Sequence, residues 1–290
     1  VSTFAETHYK HFRAKYGENW SESLWLFRGG RSLYLNDERD LQAAGGRVFV
    51  RYMLPRAVRV NIYKQWQETA SDLVLHEKKI DAASLPLISD QELAAIWSEL
   101  NERYIAFWVE CSPPELGNYG SIAYLEEKLK LDIPNDGERA SALEALTAPT
   151  RLSFYQEEEI ALSQTSDIEK HQKAFFWLKN SYAGTSVLPV EFFVERKKTL
   201  SKKIESGIRA KLEQTILRNQ SVQKQYGLSD EIMDIAEAIR DGVGWQDERK
   251  KHIFILLHYI DLLVQEVARR FSYNFDELHN LWHSQIGGII

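Results

Sequence analysis

Apolar residues recur at three- and four-residue steps along most of the chain. Leu93, Ile96, Trp97, Leu100, Tyr104, Phe107 and Trp108 make one such stripe, the spacing of a helix face turned toward a core. Ahead of it, Ser89-Asp90-Gln91-Glu92 reads as a capping box. There a Ser hydroxyl and a Glu carboxylate satisfy two backbone donors that a helix start leaves open. The same opening is predicted at Ser153-Phe154-Tyr155-Gln156 and Ser166-Asp167-Ile168-Glu169, and with Asn as cap at Asn274-Phe275-Asp276-Glu277.

The longest helical pattern starts at Pro189, which suits a first helical turn, and runs to about Tyr226 before Gly227. Ser229 then caps a helix predicted through Arg240. A further helix runs from about Trp245 to Phe271, and a last one from Asp276 to Gln285 stops at Gly287-Gly288. Residues 20–55 differ. Leu24, Leu26, Leu33, Leu35, Val48, Val50, Tyr52 and Leu54 alternate with other residues, as in short strands, with the glycine pairs 29–30 and 45–46 as turns. Asp37 to Ala44 reads equally well as a helical segment ended by Gly45. The fold expected is mainly α, a multi-helix array with long antiparallel helices and at most a small β element within residues 20–55.

Proline and glycine punctuate the pattern. Ser112 to Gly120, with Pro113-Pro114, Gly117 and Gly120, is the first linker candidate, and Ala148-Pro149-Thr150 the second. This divides the chain into a mainly helical N-terminal subdomain (1–112), a connecting segment (113–149) and a helical domain (150–290).

Composition narrows the function classes. The 290 residues carry a net charge of −6, and 44% hydrophobic against 27% charged residues is the balance of a globular chain. No apolar run is long enough to span a bilayer, and mild acidity argues against a general nucleic-acid binder. A single cysteine, Cys111, excludes an internal disulfide framework. The chain opens at Val1 with no initiator Met and no apolar signal region, and closes at Gly287-Gly288-Ile289-Ile290, which leads to the expectation of a piece of something longer.

Candidate chemistry is sparse. His279 and His283 stand at i and i+4, the spacing of helix-borne metal ligands, but no third ligand is identifiable. His8 and His11 are weaker still. Cys111 has no histidine placed against it, and no GxSxG elbow presents a serine. Phe27-Arg28-Gly29-Gly30-Arg31-Ser32 resembles an anion nest without the spacing of a phosphate-binding loop. Glu157-Glu158-Glu159 suits the first turn of a helix, where negative charge favours the macrodipole. Lysines and arginines on the 189–226 helix read as a solvated face. Trp245-Gln246-Asp247-Glu248-Arg249-Lys250 opens an otherwise apolar helix, so Asp247 and Arg249 call for partners on neighbouring helices, as a salt bridge or as a functional contact.

The stretch from His171 through Trp177, Asn180 and Tyr182 resembles a helix of phosphoenolpyruvate-utilising enzymes, the pyruvate phosphate dikinase and phosphoenolpyruvate synthase-like proteins. In a branch of that family such a helix is followed by a long charged helix, a Gly-Leu-Ser turn (here Gly227-Leu228-Ser229) and a Trp-x-Asp-x-Arg-Lys helix (here Trp245, Asp247, Arg249 and Lys250). Ala268-Arg269-Arg270-Phe271 through Asp276-Glu277-Leu278 is similar too. The likeness spans about residues 150–290. It implies a non-catalytic helical scaffold between an ATP-grasp domain and a swivelling phosphohistidine domain, which would be its partners. His171, Trp177, Asn180, Tyr182, Trp245, Asp247, Arg249 and Lys250 are then candidate interdomain or ligand contacts. ATP and Mg are expected only in a full-length member, with no cofactor in this chain. No catalytic residue carries over, since neither the Ser-His carrier motif nor the nucleotide-gripping loop is present. Neither a nucleic-acid nor a membrane partner is expected, and the location expected is cytoplasmic. The rival readings are a self-sufficient all-α enzyme with a pocket near His258, Asp261 and Arg249, a metal protein built on His279 and His283, and a stand-alone interaction adaptor.

Overall fold

The computed structural model describes all residues except Val1, Ser21, Glu22, Gly29, Gly30, Ala183 and Lys202. α1 (Ser2–Glu6), a π-helical turn (Thr7–His11) and α2 (Phe12–Tyr16) run on from one another. They end at Gly17, whose φ of 69° suits glycine. β1 (Ser23–Arg28) and β2 (Arg31–Asn36) pair antiparallel, Leu24 with Leu35 and Leu26 with Leu33. The anion-nest reading of Phe27–Ser32 turns on Gly29 and Gly30, which lie outside the described residues.

Asp37 accepts hydrogen bonds from the Arg39 and Asp40 amides and so opens α3 (Glu38–Val48), which continues into a π-helical turn (Phe49–Met53). Of the two readings for residues 20–55, strands hold for the first half and helix for the second. Gly45 does not end the helix. It and Gly120 are glycine because α3 lies against the next long helix at backbone contact: a Cβ on Gly120 would stand 2.1 Å from Gly46 N.

α4 (Arg56–Glu77) and a 3₁₀ turn (Leu85–Leu87) precede α5 (Asp90–Leu129), which opens on the Ser89/Glu92 capping box. The linker reading of Ser112–Gly120 is corrected here, because those residues lie inside α5. Pro113 and Pro114 remove the amides that would bond the carbonyls of Val109 and Glu110, normally enough to break a helix. Here Phe107 through Pro114 are buried all round, with α3, α4 and the later helix Asp230–Phe271 packed against α5. Tertiary packing, rather than propensity, carries the helix through.

α6 (Asp136–Thr147), α7 (Phe154–Gln164) and α8 (Ile168–Phe175) follow. Asp167, not Ser166, caps α8, since Thr165 Oγ1 takes the Asp167 amide and shifts the start by one residue. The single helix expected from Pro189 to Tyr226 is two, α9 (Val190–Thr199) and α10 (Ile204–Tyr226). Leu200 between them is extended and packs on the core beneath α7–α9. Conversely, the two helices expected after Ser229 are one, α11 (Asp230–Phe271), which runs through Gly242 and Gly244. The final helix is divided into α12 (Phe275–Leu278) and α13 (His283–Gly287), with Trp97 Nε1 donating to His283 O at 2.9 Å and holding α13 against α5.

Among the described residues most of the buried apolar side chains fall into two clusters. The larger gathers α3, α4, α5 and α11 around Trp66, Phe107 and Trp245. The smaller holds Phe154, Leu162, Trp177, Leu178, Leu188 and Phe193. No described helix is long and apolar enough to cross a membrane.

Candidate functional site

The Pro-Pro step inside α5 and the two π-helical turns packed on α5, Thr7–His11 and Phe49–Met53, are unusual features for helices. Such irregularities concentrate at sites under a constraint other than helix stability. Trp108, Cys111 and Glu115 are spaced three and four apart on α5, so they share one face. Arg249 reaches across from α11 with its side chain 4% exposed, and its Nη2 meets Glu115 Oε2 at 2.5 Å. The guanidinium carbon stands 4.9 Å from the centroid of the Trp108 ring, a cation–π contact in a desolvated setting. Nε and Nη1 of Arg249 have no hydrogen-bond partner among the described residues.

The N-terminal segment closes over this pair. His8 stacks on Trp20 at 3.5 Å and meets the edge of Trp108 at 6.2 Å. Trp20 Nε1 donates to the Tyr34 hydroxyl at 2.8 Å, which ties the β-hairpin to the same cluster. Burial holds His8 well below the usual imidazole range, and Arg249 adds to the effect. Burial pushes the Cys111 thiol up, with Arg249 opposing. It would push the Arg249 guanidinium down, but Glu115 carries it up. At neutral pH the cluster therefore holds a neutral imidazole, a protonated thiol and a paired cation. That set contains neither a ready nucleophile nor a base near its working range.

The residues of the 150–290 pattern do something different: Asp247, Asn180 and Tyr182 join the smaller core to α11, while the others make contacts elsewhere. Asp247 Oδ2 accepts from the Phe154 amide at 2.9 Å, holding the start of α7 against α11. Asn180 donates to Phe254 O at 2.9 Å and accepts from the Ser186 amide at 2.8 Å. Trp177 is fully buried and donates to Ala174 O. His171 Nε2 lies 3.1 Å from Glu158 Oε1, whose other oxygen receives Arg196 Nη2 at 2.9 Å. Trp245 packs on Trp66 and Tyr63, Tyr182 lies edge-on to Phe254, and Lys250 is exposed.

No family model, curated protein or solved structure matches this chain. What the site does must be read from its own geometry.

The structure does not gather the remaining sequence candidates. Arg249, His258 and Asp261 lie along one helix with separate partners. His258 packs on Phe176, while Asp261 takes the Thr185 hydroxyl at 2.5 Å and His279 Nε2 at 3.3 Å. His279 and His283 do not share a helix face, because the chain turns between α12 and α13. His283 Nε2 instead lies 3.0 Å from Glu6 Oε2. Among the described residues no group of three or more His, Cys, Asp or Glu side chains is placed to hold a metal ion. An open groove of about 650 Å³ runs along α9 from Pro189 to Thr199, and none of the candidates lines it.

Sequence reasoning missed Glu115 and read Trp108, His8 and Glu158 in other roles, as a core stripe, a weak metal candidate and a first-turn carboxylate. Glu115 fell in the supposed linker, and Glu158, fully buried, was assigned to the helix macrodipole. A carboxylate inside an uninterrupted apolar stripe is the signal that could have found Glu115.

The Arg249–Glu115 pair gives a direct test. Glu115→Gln leaves a buried guanidinium without its counter-charge and should cost about 2–3 kcal/mol. Glu115→Leu combined with Arg249→Met removes both charges and should recover at least half of that loss. Urea denaturation of the wild type, Glu115→Leu alone, Arg249→Met alone and the double variant measures the coupling. Strictly additive losses would show that the pair contributes nothing as a pair.

Proposed function

We propose that this chain is a non-catalytic helical scaffold of a phosphoenolpyruvate-utilising phosphotransferase, holding and orienting an ATP-grasp module and a phosphohistidine module. The observation that carries the reading is the use made of His171, Trp177, Asn180, Trp245 and Asp247. Asp247 and Asn180 fix the start of α7 and the 176–188 segment to α11, His171 pairs α8 with Glu158 of α7, Trp177 donates within its own turn, and the Trp245 ring packs on Trp66 and Tyr63 of α4. A scaffold requires such ties, because a module that swings between two stations needs a base whose parts do not move relative to one another. The long single run of α11 past both cores supplies that base.

On this reading ATP and Mg are held by the neighbouring modules, and the setting is cytoplasmic. The charge states at the Arg249 cluster support the same view, since phosphoryl transfer depends on positioned cations and a metal around the transferred group. Here the central cation is already paired.

Isothermal titration of the chain with MgATP and with phosphoenolpyruvate tests the proposal. No saturable heat is expected with ligand up to about 1 mM, the weak end of metabolite affinities. Micromolar binding of either ligand would overturn the scaffold reading in favour of a catalytic one.

A further inference from the structure

Among the described residues three arginines are buried, and two of them spend donors on backbone carbonyls. Arg59 Nη1 meets the carbonyls of Met53 and Leu54, and Arg139 Nη1 meets those of Ile133 and Pro134. Arg249 is different. It pairs with Glu115 through Nη2, while its Nε and Nη1 meet no acceptor among the described residues. The Cys111 thiol beside the guanidinium is protonated and a weak acceptor. Buried N–H groups left open carry a desolvation cost, and native structures keep few of them unless something outside the chain meets them.

The surroundings grade from this buried floor to solvent. The Glu115 side chain is 22% exposed, and Tyr119, four residues on, shares its face of α5 and is 40% exposed. Tyr182 stands on a turn of the 176–188 segment and is 56% exposed, and Tyr34 of β2 is half-buried. Burial raises each of these three phenols and the Glu115 charge adds to the rise, so the rings gather about that carboxylate. The result is a cation at the floor, an anion at its edge and aromatic rings toward solvent. An anion alone would meet Glu115, and a cation alone would meet Arg249. A ligand that carries both charges avoids both conflicts. Its carboxylate takes the donors that Arg249 leaves open, and its ammonium faces Glu115 and the tyrosine rings. We propose that Arg249, Glu115 and the tyrosines around them bind a small zwitterion, an α-amino acid whose side chain lies along the rings. Tyr182, the most exposed of them and outside any helix, is the part of the wall that turns aside to admit it. The inference stands apart from the scaffold reading, since neither MgATP nor phosphoenolpyruvate pairs a carboxylate with an ammonium group.

Isothermal titration with L-phenylalanine and its two half-ligands tests the proposal: hydrocinnamate, which lacks the amine, and phenethylamine, which lacks the carboxylate. L-Phenylalanine should bind with a Kd on the order of 0.1–1 mM, within reach of a ligand of about a dozen heavy atoms. Each half-ligand should bind at least about tenfold more weakly, because it brings one charge against its like. Glu115→Gln removes the group that repels a carboxylate and attracts an ammonium, so the order of L-phenylalanine and hydrocinnamate should invert. Tyr119→Ala with Tyr182→Ala, at exposed positions, should weaken L-phenylalanine about tenfold while circular dichroism stays unchanged. That variant keeps the test decisive if Glu115→Gln does not fold. No saturable heat up to about 10 mM L-phenylalanine, well above the expected Kd, would overturn the proposal. So would a half-ligand that binds as well, an order that Glu115→Gln leaves unchanged, or binding indifferent to Y119A/Y182A.

Discussion

Gly120→Ala should unfold or nearly unfold the protein, at a cost of about 4 kcal/mol or more, although it adds a single methyl group. The new Cβ would stand 2.1 Å from Gly46 N and 2.6 Å from Gln42 O, both backbone atoms of α3. Backbone inside a helix cannot yield as a side chain tip can, so α3 must move off α5 and lose packing along its length. Losses of this size come from a short list of causes, of which overpacking against fixed backbone is one. Gly46→Ala is the control. Nothing lies within 4 Å of its added Cβ, so the usual preference of alanine over glycine in a helix should stabilise by about 0.5–1 kcal/mol. Urea melts of the two variants decide the matter: comparable stability for both would mean that α3 and α5 do not approach as closely as described.

Glu77 should make the protein less stable as pH rises toward 8. It closes α4, is 2% exposed, and its Oε1 has no partner among the described residues. Burial raises its pKa from the ordinary 4.5 to about 8. A group whose folded value is raised binds more protons folded than unfolded. Its contribution is therefore fully present below about 4.5, declines as pH climbs, and is gone above about 8. The difference across that window is on the order of 4 kcal/mol. Five histidines, His8, His76, His252, His258 and His283, act in the opposite sense. Burial lowers His252 from 6.5 to about 4 and lowers His8 as well, so their stabilisation is lost on acidification. From pH 7 to 8.5 the lowered histidines are already neutral. His279, raised by its hydrogen bond to Asp261, is the histidine acting in the same sense as Glu77, so the comparison with the Glu77 variant is what separates the two. There Glu77→Gln should be more stable than wild type by on the order of 3 kcal/mol and nearly flat with pH. Thermal or chemical unfolding of both proteins across that interval is the check, and parallel pH profiles would show that Glu77 is solvated or paired.

Much of the helical plan could be read in advance because its signals are short. The boxes at Ser89 and Ser153 and the Asn274 cap lie where expected, since a cap is a bond between residues two or three apart. Errors arose where a local signal was overruled from a distance. Pro113-Pro114 reads as a linker until α3, α4 and α11 are seen around it. Gly242 and Gly244 read as a gap until α11 runs through them. The 189–226 pattern carries no proline to mark its break, and the cause, Leu200 turning into the smaller core, is tertiary.

The site was legible only in half. Asp247 and Arg249 stood out because charge inside an apolar helix demands partners, but nothing in sequence pairs Arg249 with Glu115 or Asp247 with the Phe154 amide. His279 and His283 show the converse, a helical spacing that loses its meaning once the chain turns between them.

By itself the sequence determined the mainly α character, most helix starts, the lack of a disulfide within these residues and the leucine alternation of the hairpin. These follow from periodicity and from hydrogen bonds closed within one turn, which no distant residue needs to supply. The tertiary structure decided which glycines are contacts rather than turns, which prolines a helix absorbs, and which carboxylate answers each buried cation. Those outcomes are set by close packing and by the cost of leaving charge unpaired away from water, and both depend on neighbours that the chain brings together only by folding.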